Sequence, residues 1–143
     1  MNYRGFTFFE ILLVFAITAV MAILTIPGAV NYFSRQSLDE TTSQLSVDLR
    51  RVRDQAMAGK NDASWGIRQF GNYYVLFEGS TFATRDTTED LTVNLDNGVT
   101  LSGPSELVFY KLTGTSTASS TFNLANSVVN YNVYVDSNGK IEK

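Results

Sequence analysis

One acidic residue, Glu10, lies inside a long apolar run near the amino terminus of this 143-residue sequence. The 21 residues from Phe6 to Ile26 comprise seventeen apolar side chains, three threonines and Glu10. As a helix, this run would be about 31 Å long, which matches the hydrocarbon core of a bilayer. A charged side chain at that depth costs about 2.5–3.5 kcal/mol on insertion scales. The pattern therefore predicts a membrane-length helix whose glutamate needs a partner.

The rest of the composition leaves little material for catalysis. The sequence contains no cysteine and no histidine, which excludes disulfides, thiolate and imidazole catalysis and the usual zinc ligand sets. Its fourteen acidic residues are scattered, and no G-x-S-x-G, P-loop or H-E-x-x-H motif is present. We therefore expect no enzyme, no cofactor and no metal site. The segment from Asp136 to Glu142 lacks most of the acidic ligands of a calcium loop and is interpreted as a hairpin turn.

Two simpler explanations account for only part of the apolar run. A secretory signal peptide has about 7–15 apolar residues before a small-residue cleavage site, whereas this run is longer and ends at Ile26 and Pro27. A plain membrane anchor explains the length but not Glu10. Arg4 precedes the run, which favours a cytoplasmic amino terminus and a C-terminal domain on the other side of the membrane.

The start of the sequence combines a short basic leader ending in Gly5, an aromatic Phe6, the acid Glu10 and an apolar helix that closes on Pro27. This combination resembles the class III signal of type IV pilins and type II secretion pseudopilins. The resemblance implies that a prepilin peptidase cleaves between Gly5 and Phe6, and that the new amine of Phe6 is N-methylated. It also implies filament assembly through the N-terminal helix, with Glu10 as the assembly residue.

The same resemblance implies a set of partners and a location. The partners are the prepilin peptidase, other pilin or pseudopilin subunits, a membrane platform protein and an assembly ATPase. The expected location is the cytoplasmic (inner) membrane, as a single-pass precursor, followed by a periplasmic or extracellular filament.

Cleavage would supply Glu10 with a cationic partner. Phe6 would then carry a positive amine, one helical turn before Glu10 in the same chain. In a filament, the Phe6 amine of one subunit can meet Glu10 of a neighbour in apolar surroundings, where an unpaired charge is costly. A pair within one chain is also geometrically possible, and the sequence leaves both arrangements open.

Pro27 and Gly28 follow the apolar run and are predicted to break the helix. Proline removes a backbone donor and clashes with the carbonyl four residues earlier, and glycine has a low helix propensity. The pair marks the membrane exit, a local unwinding that helps subunits to pack, or both.

The helix is expected to resume at Ala29 and to run to about Ala58, where Gly59 and Asn61 provide a stop signal. One face repeats at spacings of four and three residues, which is typical of a helix packed on a domain, through Leu38, Thr42, Leu45, Leu49, Val52 and Ala56. The opposite, solvent-facing side is expected to carry Asp39, Glu40, Asp48, Arg51 and Asp54. The arginines Arg50, Arg51 and Arg53 are interpreted as a solvated or ion-paired face rather than an anion site.

After Gly59 the pattern changes to alternating strands and turns. Trp65–Glu78 predicts a hairpin about Gly71-Asn72, and Leu91–Ser102 predicts a second hairpin about Asn97-Gly98. Further strands are predicted at 106–111, 121–125 and 128–135, with a short edge after Gly139 and polar loops at 79–90 and 112–120. The expected class is α+β, with a long helix on an antiparallel sheet of about seven strands.

The predicted organisation has four parts. Residues 1–5 form the leader, 6–26 the transmembrane and assembly helix, 27–59 the amphipathic second half of the helix, and 60–143 a β-rich head domain.

Three segments resemble one subgroup of the family. Ser46–Lys60 is similar to the end of the helix in H-type minor pseudopilins and FimT-like minor pilins. The turn from Phe109 to Gly114 and the terminal Gly139-Lys140-Ile141 are loosely similar to later motifs of that group. The resemblance favours a minor subunit over a major shaft subunit.

A membrane-displayed binding module, for DNA uptake or adhesion, is the alternative from another functional class. Some FimT-like proteins are thought to bind DNA through a basic G-R-x-R element. Here the matching residues are Gly139, Lys140, Ile141 and Glu142, so an acid replaces the second arginine. With a net charge of −3, nucleic-acid binding is not expected.

Overall fold

The structure, a computed structural model, describes residues 5–143, except for the side chains of residues 23–29 within the first helix. Arg4 and the three residues before it lie outside the described residues. By its internal contacts the chain divides into two units, Met1–Ser34 and Arg35–Lys143.

The first element of the described chain is an α-helix, α1, which extends over 50 residues from Phe8 to Met57. Just beyond its end, Gly59 adopts a φ of +64° and donates its N–H to the carbonyl of Ala56 at 3.0 Å. Glycine takes this left-handed conformation at little cost because it has no Cβ. The predicted long helix and its stop signal are confirmed.

The backbone of α1 is helical through Pro27 and Gly28, so the interruption predicted at these residues is not found. A proline removes one helical hydrogen bond, whereas the flanking turns stay helical because propagation is cooperative. The side chains of both residues lie outside the description. A role of this position in subunit packing stays a prediction.

Within residues 5–143, eight strands form two antiparallel sheets. The first sheet contains β1 (Trp65–Gln69), β2 (Tyr73–Glu78), β3 (Asp86–Asn94) and β5 (Glu106–Phe109), in the order β3-β2-β1-β5. The second contains β4 (Thr100–Ser102), β6 (Ser120–Ala125), β7 (Asn130–Val135) and β8 (Ile141–Glu142), in the order β4-β6-β7-β8. Short 3-10 turns lie at Lys60–Asp62 and Phe82–Thr84. The α+β class is confirmed, and the single sheet of about seven strands is wrong.

The predicted hairpin about Gly71-Asn72 is confirmed, because β1 and β2 pair antiparallel. The hairpin predicted about Asn97-Gly98 is wrong: β3 pairs with β2, and β4 pairs with β6 of the second sheet. A turn sequence fixes a local reversal, whereas buried side chains select the pairing partner. In β4, Leu101 is buried opposite Leu124 of β6. The Asn97-Gly98 turn therefore carries the chain from one sheet to the other.

The segment 79–90, predicted as a polar loop, belongs in part to β3. Glu78 pairs with Asp86 and Leu76 pairs with Leu91, so residues 87–90 bulge out of the ladder opposite Phe77. This strand is at the edge of its sheet, where polar and acidic side chains are common, and its composition therefore resembles that of a loop. The other predicted loop, 112–120, ends at Ser120, where β6 begins.

The predicted stripe of α1 forms the centre of a hydrophobic core shared with both sheets. Its apolar members are fully buried, and the buried Thr42 donates its Oγ1–H to the carbonyl of Leu38 at 2.6 Å. The sheets contribute buried side chains from seven strands, among them Trp65, Ile67, Leu76, Leu107, Phe109, Phe122, Leu124, Val133 and Val135. Full burial of one such side chain contributes about 1.5–3 kcal/mol.

Leu49→Ala is expected to lower the free energy of unfolding by about 2–5 kcal/mol, because it leaves a cavity where a fully buried side chain was. The matched control is Val47→Ala on the same helix, where the side chain is 56% exposed and the change should stay within about 0.5 kcal/mol. Urea denaturation followed by circular dichroism measures both. Equal losses would contradict the assigned buried face.

Candidate assembly site at the N-terminal helix

The unit up to Ser34 exposes apolar side chains around α1. Phe6 and Phe8 are both 82% exposed. The exposed set continues along the helix with Phe9, Ile11, Leu12, Leu13, Val14, Phe15, Ile17, Val20, Met21, Val30, Tyr32 and Phe33. A helix that is apolar on all sides is normally covered by lipid or protein. This segment is therefore the candidate functional contact of the molecule.

Among the described residues, no helix is long and apolar enough to cross a membrane. The predicted span Phe6–Ile26 includes residues 23–26, whose side chains lie outside the description. The membrane segment therefore stays a prediction.

Glu10 has a local partner that the sequence interpretation missed. Oε2 of Glu10 accepts hydrogen bonds from the backbone N–H of Thr7 at 3.3 Å and from its hydroxyl at 3.4 Å. In return, Oγ1 of Thr7 accepts from the backbone N–H of Glu10 at 3.3 Å. This is a capping box at the start of α1, and the signal for it is the spacing Thr7-x-x-Glu10. The carboxylate also lies in the first helical turn, where the helix dipole favours negative charge.

The predicted cleavage residues Gly5 and Phe6 directly precede this cap. Both are exposed, and a Cβ placed on Gly5 would meet no atom within 4 Å. The structure thus brings Gly5, Phe6 and Glu10 together at the open start of α1. The predicted pair between a Phe6 amine and Glu10 is a property of the cleaved protein and stays a prediction.

Gly114 and Gly139, the glycines of the two C-terminal segments that resemble the subgroup, pack against each other near the end of α1. A Cβ on Gly139 would lie 2.0 Å from the carbonyl oxygen of Gly114, and one on Gly114 would lie 2.4 Å from Cγ of Met57. Arg53 donates from Nη1 to the carbonyl of Gly139 at 3.0 Å. These glycines therefore provide close packing on the helix, and Arg53 serves that junction rather than an anion site.

Asp48, expected on the solvent-facing side of α1, is instead 3% exposed. Its Oδ2 accepts from the hydroxyl of Tyr74 at 2.7 Å and from Nε2 of Gln44 at 3.1 Å. A carboxylate can be buried when such donors satisfy it, and Tyr74 comes from a strand 26 residues away. Burial, and secondly the hydrogen bond to Asp48, raise the pKa of Tyr74 well above its usual range.

The predicted turn at Asp136 is confirmed, because β7 and β8 pair on either side of it. The Asp136 carboxylate accepts from Nδ2 of Asn138, from the backbone N–H of Ser137 and from Oγ of Ser119. The bond from Asn138 is the largest of the effects that lower the pKa of Asp136. Both carboxylate oxygens of Asp136 are thus engaged in turn hydrogen bonds.

One spacing typical of a Ser–Lys nucleophile, Ser137-x-x-Lys140, lies in the same turn. A catalytic lysine needs a lowered pKa. Here the neighbouring carboxylate of Glu142, 2.5 Å from Nζ of Lys140, raises the pKa of Lys140. The pair is therefore a surface ion pair.

A long N-terminal helix packed on an antiparallel two-sheet domain defines the pilin-like α+β fold. A solved structure with this fold is the minor pseudopilin EpsH from the type 2 secretion system of Vibrio cholerae. The match has a TM-score of 0.58 and 13% sequence identity, and it covers 74% of this chain and 94% of that one. No protein-family model and no curated protein matches the chain. At this identity, the likeness establishes the fold.

Tyr74→Phe is expected to lower the free energy of unfolding at neutral pH by about 1–3 kcal/mol, because buried Asp48 loses a donor. Because the folded-state pKa of Tyr74 lies above its unfolded value of about 10, its stabilisation is present below that pH and declines as the pH rises further. Denaturation titrations at neutral and strongly alkaline pH should therefore show a smaller alkaline loss for Tyr74→Phe than for the wild type. Tyr134→Phe, at a 41% exposed position, is the control and should follow the wild type.

Proposed function

We propose that this protein is a structural subunit, of the minor type, of a type II secretion pseudopilus or a type IV pilus. The proposal is carried by one combination: an apolar, exposed helix start that holds a single acid, joined to a fold shared with a minor pseudopilin. In this role the protein acts by assembling with other pilin-like subunits, and it catalyses no reaction.

Processing would act on the bond between Gly5 and Phe6. The backbone at Gly5 is open, which suits a peptidase that must reach the main chain. We propose that the precursor inserts in the inner membrane with its amino terminus in the cytoplasm. A prepilin peptidase then removes the leader and methylates the Phe6 amine, and a platform protein and an ATPase move the subunit into the filament.

Glu10 would change partners during this process. In the free chain its carboxylate is held by the neutral N–H and hydroxyl of Thr7. In a filament, the cationic amine of a neighbouring subunit offers a stronger, charge-assisted partner. A buried charge left without that partner is costly, so a subunit out of register would be rejected.

Two other roles remain as alternatives: a major shaft subunit, and a membrane-displayed module for DNA uptake or adhesion. The paired charges of Lys140 and Glu142 neutralise the element that resembles a basic DNA-binding motif. This pair therefore favours the filament subunit over a DNA receptor.

The processing step is tested by mass spectrometry of the intact protein from cells that contain a prepilin peptidase. The expected mass is that of a chain beginning at Phe6 with one added methyl group. A full-length, unmethylated chain in the presence of active peptidase would reject the pathway. Gly5→Leu is expected to block the shift in mass, because a bulky side chain would occupy the space that is open in the native protein.

Glu10→Ala is expected to reduce incorporation into filaments at least about a hundredfold, since removal of one partner of a buried ion pair costs about 3–5 kcal/mol. Glu40→Ala is the matched control, an exposed acid on the same helix. Sheared filament fractions, quantified by immunoblot, measure both variants. Normal incorporation of Glu10→Ala would leave the membrane-displayed module as the better explanation.

A further inference from the structure

The chain contains two Asn-Gly sequences, and both lie in turns. Asn97-Gly98 joins β3 to β4, and Asn138-Gly139 joins β7 to β8. An asparagine followed by glycine is prone to attack by the next backbone nitrogen on its own side-chain carboxamide, because glycine has no Cβ to shield that nitrogen and its backbone rotates freely. The two sites differ in how firmly the reacting groups are held.

At Asn138 both reacting groups are engaged. Nδ2 of Asn138 donates to Oδ2 of Asp136 at 2.9 Å, and the N–H of Gly139 donates to the carbonyl of Asp136 at 2.8 Å. Gly139 is also packed against Gly114 and Arg53. Attack at this site would require both hydrogen bonds to break and the packed backbone to move.

At Asn97 the reacting groups are free. Asn97 and Gly98 are exposed, and a Cβ on Gly98 would meet no atom within 4 Å. Within residues 5–143, no hydrogen bond holds the Asn97 carboxamide or the Gly98 N–H. One bond closes the turn, from the N–H of Val99 to the carbonyl of Asp96 at 3.0 Å.

We propose that Asn97 is a site of spontaneous deamidation in the folded protein. Hydroxide removes the Gly98 amide proton, and the nitrogen attacks Cγ of Asn97 to form a five-membered succinimide. The bond from Cγ to the side-chain nitrogen breaks, and ammonia leaves with a proton from solvent. Water then opens the ring at either carbonyl, which gives aspartate or isoaspartate. The net change is the addition of one water and the loss of one ammonia.

The product would alter a contact between the turn and α1. Oδ2 of the neighbouring Asp96 accepts from Oγ of Ser37 at 2.7 Å and, more weakly, from Oγ1 of Thr41 at 3.5 Å. Isoaspartate lengthens the main chain by one methylene and places a new carboxylate beside Asp96. Because the longer backbone changes the position of Asp96 relative to Ser37, we expect deamidation to weaken this contact between the turn and α1.

The test uses the full-length protein in detergent, incubated in mildly alkaline buffer. Tryptic peptides 86–111 and 112–140 separate the two Asn-Gly sites, and mass spectrometry counts the replacement of the amide by a carboxyl group. In the folded protein Asn97 should deamidate at least about tenfold faster than Asn138, because only the reaction at Asn138 requires two hydrogen bonds to break. In denaturant the two rates should converge. Equal rates in the folded protein, or a faster Asn138, would overturn the proposal.

The structural consequence is tested by hydrogen exchange over residues 35–44. Aged wild-type protein should exchange faster there than fresh protein, whereas aged Asn97→Gln should not change. Asn97→Asp adds the charge without lengthening the backbone and should cause a smaller increase than ageing does. An unchanged exchange rate in protein shown to carry isoaspartate would refute the weakening of this contact with α1. These readouts do not depend on processing or filament assembly.

Discussion

Burial of one face of α1 against two sheets is the constraint on which the globular unit depends. Each sheet has only four strands, and the inner faces of both contribute to a single core around the helix. Polar contacts fix the helix on this core: Asp48 bonds to Tyr74 of the first sheet, and Arg53 bonds to Gly139 beside the second. Apolar burial supplies the energy, whereas the directional bonds select one register, since a helix shifted by one residue would separate Asp48 from its donor Tyr74.

Before Ser34 the same helix differs in which of its side chains are apolar and exposed. There the described side chains are mostly apolar around the axis and exposed, whereas after Arg35 the buried apolar side chains form one stripe and mostly polar residues cover the rest of the helix. A chain that keeps such a segment is incomplete without lipid or protein around it. Besides this general need for an apolar covering, Glu10 requires a hydrogen-bond donor or a cation for its carboxylate. Lipid can cover the phenylalanines, but it offers no donor to a carboxylate, so the Thr7 cap is the local solution and a subunit amine is the proposed one.

The sequence was sufficient for features that depend on local order. The stripe from Leu38 to Ala56, the Gly59 stop and the Gly71 hairpin follow from spacing and from backbone preferences, and the structure confirms them. The capping box at Thr7 was equally local and could have been found. The burial of Asp48 could not be predicted in this way, because it depends on a tyrosine from a distant strand. The hairpin predicted about Asn97-Gly98 was wrong for the same reason: a turn motif contains no information about which strand will pair with the strand that follows it.

Two polar contacts, which we call tethers, join the segment of α1 from Ser37 to Ser43 to the rest of the globular unit: one through Lys143 and one through Asp96. They differ in whether a chemically labile residue lies beside them. Lys143 contacts the helix through Oδ1 of Asp39 at 2.6 Å and Oγ of Ser43 at 2.9 Å, and Asp96 contacts it through Ser37. Such exposed contacts contribute little to stability individually, so the buried stripe keeps the fold intact if one is lost. Their effect is local: they limit how far this part of the helix can open away from the sheets. The Lys143 tether involves no labile group, whereas the Asp96 tether stands next to Asn97. Ageing of the turn would therefore loosen one side of the helix while Lys143 still holds the other, which changes local opening without unfolding the domain.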